Sequence, residues 1–92
     1  MAAITEQAQV LQHSMLGNLS HPKAIELAAG LCALFPELRR VFFGSDGASA
    51  VEAALKIAAQ YWHNVGKPER NRFASLQDGY HGLLMGGQFP VA

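Results

Sequence analysis

Ninety-two residues, half of them hydrophobic and 15% charged, are too apolar for a disordered chain and too few for more than one small domain, residues 1–92. A formal net charge of zero with no basic run gives no support to nucleic-acid binding. No signal peptide and no membrane-length apolar run is present, so a soluble cytoplasmic protein with no membrane partner is expected.

The first element predicted is an amphipathic helix from Ala2 to about His13. Ile4, Ala8, Leu11 and Met15 fall on one face, and Gly17-Asn18 breaks the pattern. Ser20 is the expected N-cap of a second helix, with Pro22 and Glu26 in its first turns. Its apolar stripe is Ala24, Leu27, Ala28, Leu31, Leu34 and Phe35, and Pro36 ends it. Cys32, the lone cysteine, reads as a buried structural thiol and fits a reducing compartment. Val41-Phe42-Phe43, bounded by Gly44, reads as a buried strand. A small, polar turn from Gly44 to Ser49 then feeds a long helix with Val51, Ala54, Leu55, Ala58 and Trp62 on its apolar face. Val65-Gly66-Lys67-Pro68 closes that helix. Residues 72–76 are a second candidate strand, Gln77-Asp78-Gly79 a turn, and the glycine-rich tail through Pro90 is expected to lack regular structure. The order is helix-helix-strand-helix-strand, an α/β arrangement. The two strands and the crossover helix form a βαβ-type unit whose outer strand edges nothing else in the chain can cover. That deficit is the mark of a fragment of a larger α/β domain.

The chain is organised around the stretch from Arg40 to Trp62. A strand that enters a helix through a small-residue turn leaves the first N–H groups of the helix pointing outward with the positive end of the dipole behind them. Gly47, Ala48 and Ser49 are small enough to let a phosphate approach the backbone. The plainer reading is a capped helix that binds nothing. Ser49-x-x-Glu52 has the form of a capping box, and Asp46 is an alternative N-cap. The turn is neither a P-loop nor a dinucleotide fingerprint. No Gly-Lys-Ser/Thr follows, and Gly44 and Gly47 are spaced wrongly. The histidines His13, His21 and His63 are too far apart to suggest a metal site, and His81 alone reads as structural.

The run from Ser45 to Lys56, reading SDGASAVEAALK, with Gln60-Tyr61-Trp62, resembles the class III pyridoxal-phosphate aminotransferases. The stretch from His21 to Ala28 and the turn Gly79-Tyr80-His81-Gly82 match the same family in the same order. Within it the resemblance is greatest to the branch that moves an amino group from S-adenosylmethionine to 8-amino-7-oxononanoate in biotin synthesis. It covers nearly all of this chain but a minor part of the family's length. It implies part of the large domain of a fold-type I transferase. It also implies a pyridoxal 5'-phosphate cofactor, a small-molecule amino donor and keto acceptor, and an active site built at a homodimer interface.

By that resemblance Gly47 and Ala48 give backbone N–H groups to the cofactor phosphate, Ser49 adds its hydroxyl, and Tyr80 stacks on the ring. The family more often carries Ser at the position of Ala48 or Thr at that of Ser49, and Asp-Thr where Leu83-Leu84 follows Gly82 here. A backbone contact survives the first change. No catalytic residue is expected within the chain. Lys23, Lys56 and Lys67 all read as solvated surface positions, and the family's Schiff-base lysine falls far downstream. Glu52 is explained by capping alone. The expected function is therefore that of a transaminase fragment, inactive by itself. The alternatives are a fragment of another class III transaminase acting on an ω-amine, or a non-catalytic remnant that binds a partner through its apolar faces.

Overall fold

The computed structural model describes residues 1–88, so Pro90 and the end of the glycine-rich tail lie outside it. Among the described residues four helices form: α1 (Ala2–Val10), α2 (Pro22–Leu34), α3 (Gly47–Asn64) and the single turn α4 (Met85–Gln88). They fall in two units, Met1–Val41 and Phe42–Ala92.

In the first unit, α1 stops at Val10 because Leu11 turns extended (φ −157°, ψ 117°). The expected helix to His13 is thus three residues shorter. The Gln7 side chain follows the turn and donates to the Leu11 carbonyl at 3.1 Å, so one orphan acceptor of the helix end is met. At α2 the cap is His21, not Ser20. Its Nδ1 accepts the Ala24 N–H at 3.4 Å, and Pro22 takes the first helical position, where its missing N–H costs nothing. Lys23 pairs with Glu26 at 2.8 Å, but both are exposed and the pair contributes at most about 1 kcal/mol. The stripe on α2 is only partly covered. Ala24, Ala28 and Leu31 are half-buried, whereas Leu27, Leu34 and Phe35 face outward. Cys32 is half-buried and unpaired, not fully enclosed.

The second unit is built along α3. Its half-buried positions include Val51, Leu55, Ala58 and Trp62, which is the predicted apolar face apart from Ala54, and Ala48 besides. The C-terminal end closes on itself. Gly66 enters the left-handed region at φ 78° and donates to the His63 carbonyl at 3.1 Å, while Lys67 donates to Trp62 at 2.9 Å. These two bonds make a Schellman end, which satisfies two of the last carbonyls. The guanidinium of Arg70 lies 4.4 Å from the Trp62 ring centre and the Lys67 ammonium 5.9 Å from it.

Neither predicted strand forms. Among the described residues there is no ladder, so Val41–Phe43 and 72–76 are irregular segments, and the fold is helix-helix-helix with a final helical turn. The reason is physical. A strand exists only through a partner's N–H and C=O groups, and parallel strands draw them from neighbours on both sides. Phe42 and Leu76, which a covered sheet would bury, are 69% and 80% exposed. No hydrophobic side chain among the described residues is fully buried.

Candidate functional site at the start of the third helix

Asp46 settles which residue caps α3. Its backbone is extended (φ −159°), and its Oδ1 accepts the Ser49 N–H at 2.7 Å. The Ser49 hydroxyl donates to Oδ2 at 3.2 Å. The capping box read from Ser49 and Glu52 does not form; Ser49 is a donor to the cap and lies within the helix. These bonds, that of the Ser49 N–H foremost and that of its hydroxyl next, hold the Asp46 carboxyl below its ordinary value, so the group stays ionised.

Glu52 is half-buried and reaches out of α3. Its Oε2 accepts the Gly86 N–H at 2.7 Å across 34 residues of sequence. Gly86 and Gly87 make this approach possible. A methyl on Gly86 would fall 2.7 Å from Leu55 Cδ1 and 2.8 Å from Glu52 Oε2, and one on Gly87 would fall 2.6 Å from the His81 carbonyl oxygen. The expectation of an irregular tail is corrected here: residues 85–88 form a helical turn that packs on α3.

The chain reverses at Leu76–Gly79, where Gly79 donates to Leu76 at 3.0 Å and Asp78 sits at φ 59°, a conformation Asp tolerates. Tyr80, His81 and Gly82 then run against the start of α3. Gly82 is buried at φ 109°, and a methyl on it would fall 2.9 Å from both Ala48 Cα and Cβ. Only glycine meets both demands.

These contacts leave an open cleft of about 500 Å³. Asp46, Gly47, Ala48 and Val51 form one side, and Tyr80, His81 and Gly82 the other. Of the four residues singled out from sequence, Gly47, Ala48 and Tyr80 are therefore brought to one place, although 33 positions separate Gly47 from Tyr80. Ser49 does not line the cleft, and both its N–H and its hydroxyl are taken by Asp46. Tyr80 is 78% exposed. Beside Gly47 the space is open, with no heavy atom within 4 Å of where a Cβ would stand. His81, read as structural, lines the cleft, and its Nε2 is buried without a hydrogen-bond partner among the described residues. Lys23, Lys56 and Lys67 do not line it.

The chain is similar to known proteins of one family. The family model for aminotransferase class III matches residues 1–87. The adenosylmethionine-8-amino-7-oxononanoate aminotransferase of Synechococcus elongatus is 47% identical over 85 residues, 91% of this chain and 20% of that protein. An ω-aminotransferase of Caulobacter vibrioides is 37% identical over 86 residues, 92% of this chain and 20% of its own length. A solved amine transaminase from an uncultivated Pseudomonas species, with pyridoxal phosphate bound, superposes with a TM-score of 0.81 at 45% identity and covers 94% of this chain and 20% of its own. The chain thus spans about a fifth of the length of the relatives it matches.

Proposed function

Because this chain belongs to the class III aminotransferase family, we propose that it carries the phosphate-and-ring seat of a pyridoxal-phosphate transaminase. The observation that carries the reading is the joint cleft of Gly47, Ala48 and Tyr80. The group and the residues fit. Gly47 and Ala48 are the first two residues of α3, whose N–H groups no intrahelical carbonyl can reach. The helix dipole favours an anion there. The exposed Tyr80 ring offers a face for stacking. Ser49 acts only indirectly, by fixing Asp46, which lines the same cleft as an ionised carboxylate and draws on the Ala48 N–H as well.

When bound, the cofactor supplies the electron sink for amino-group transfer. This chain's residues do three things for it: they hold the phosphate, set the ring plane and define one wall of the site. The family resemblance puts the lysine that bonds the cofactor covalently outside residues 1–92, a reading supported by the three lysines here all standing away from the cleft. For substrates, the names of the most similar relatives support transfer from S-adenosylmethionine to 8-amino-7-oxononanoate in biotin synthesis. The ω-aminotransferase and amine transaminase relatives support the second reading, transfer from an ω-amine. A cytoplasmic homodimer completes the proposal, as the family resemblance implies. Among the described residues no helix is long and apolar enough to cross a membrane.

Mapping the cofactor-linked lysine tests the assignment. The intact protein is loaded with stoichiometric pyridoxal phosphate, reduced with borohydride and digested for mass spectrometry. The adduct is expected outside residues 1–92. An adduct on Lys23, Lys56 or Lys67 would overturn the reading. Assay with S-adenosylmethionine and with a simple ω-amine as donors then separates the two substrate readings.

A further inference from the structure

Glu52 does more than the start of a helix requires. It sits one turn inside α3, is half-buried, and spends its carboxylate on a single backbone N–H of α4. Its partner element touches the cofactor cleft from behind. Gly87 abuts the His81 carbonyl, and Gly82, next in the chain, abuts Ala48. A line of contact therefore runs from Glu52 through Gly86 and Gly87 to the Tyr80–Gly82 turn and back to the first residues of α3. Leu55 and Phe73 line the small cavity of about 140 Å³ beneath this path, together with His81.

We propose that Glu52 is a positioning residue: by clasping Gly86 it presses α4 against the Tyr80–Gly82 turn and so holds Tyr80 opposite Gly47 and Ala48. This rests on the cleft being the cofactor seat. Glu52 touches no cofactor atom in this account. It fixes the distance between the ring-stacking side chain and the phosphate-binding backbone, and its loss should weaken ring recognition while sparing phosphate recognition.

The experiment uses the intact protein and two readouts. Hydrogen exchange follows the amides of residues 80–87 with no ligand present. Equilibrium dialysis compares pyridoxal phosphate with inorganic phosphate. In Glu52→Ala the amides of Gly86 and Gly87 should exchange about tenfold faster while those of Ile57–Gln60 are unchanged, as expected for loss of one hydrogen bond to a charged acceptor. Pyridoxal phosphate affinity should fall about tenfold and phosphate affinity by less than about twofold. Glu52→Gln keeps an acceptor oxygen and should restore both. Gly86→Ala sets a methyl against the Glu52 carboxylate and Leu55 Cδ1, displaces that carboxylate from the Gly86 N–H, and should reproduce the alanine variant; it carries the test if Glu52→Ala also destabilises α3. Unchanged exchange at Gly87 in both variants would overturn the proposal. So would faster exchange with no change in the ratio of the two affinities. If the wild-type protein binds pyridoxal phosphate no better than phosphate, the cofactor reading fails, and the exchange data alone decide whether Glu52 holds the turn.

Discussion

The two ends of α3 solve the same problem in opposite ways. Each leaves backbone groups that the helix cannot pair. At the C-terminal end the chain pairs them itself, through Gly66 and Lys67, and lays Arg70 and Lys67 over Trp62. At the N-terminal end it pairs only part of them. Asp46 takes the Ser49 N–H, and the Tyr80–Gly82 turn stands across an open cleft from Gly47 and Ala48. A closed end is scaffold. An end left open, with an exposed aromatic opposite, is where the proposed cofactor seat lies.

Substitutions at each end can break this contrast. The largest effect is expected from Gly82→Val. It places a β-branched side chain at φ 109° and within 3 Å of Ala48, and should destabilise the second unit by roughly 3 kcal/mol or more and abolish cofactor binding. Urea unfolding with a parallel binding isotherm measures both. Trp62→Ala acts at the closed end. Loss of a half-buried ring and its cation contacts should cost about 2 kcal/mol, yet leave pyridoxal phosphate affinity unchanged. A fall in affinity there would show that the two ends are not independent.

How much of this was legible in the sequence depends on distance along the chain. Pro22 and Gly66 mark helix ends by local backbone chemistry, so α2 and α3 read well. Val41-Phe42-Phe43 read as a strand because its residues suit one. But strand formation belongs to the neighbours, which no local pattern supplies. Met85-Gly86-Gly87 reads as loop by propensity. It becomes a helical turn because two missing Cβ atoms let it close on Glu52 and His81. That contact spans 34 residues, and nothing local announces it. The cleft was legible only through the family resemblance, which paired Gly47 with Tyr80 before any geometry did.

Smaller effects sharpen the contrast further. Gly66→Ala should cost about 1 kcal/mol, because alanine resists φ 78°, and thermal unfolding reads it directly. The pH dependence of the open end is smaller again. The folded-state pKa of Asp46 lies below its ordinary 3.8, so the cap's contribution is complete above that value and is lost as pH falls through the lowered folded value. Protection of the Ser49 amide, taken relative to its intrinsic exchange rate at each pH, should therefore fall below about pH 3.8, while that of Gly66 and Lys67 is not linked to this group.

The most direct test of the central claim is the affinity of the intact protein carrying Gly47→Asp for pyridoxal phosphate. An acidic residue in the first turn favours the helix, and the space beside Gly47 is open, so the fold should persist. The same charge would stand against the cofactor phosphate. The account predicts a loss of affinity of roughly a hundredfold with α3 intact by circular dichroism. Unchanged affinity would mean that the phosphate sits elsewhere and that the open end of α3 is not the cofactor seat.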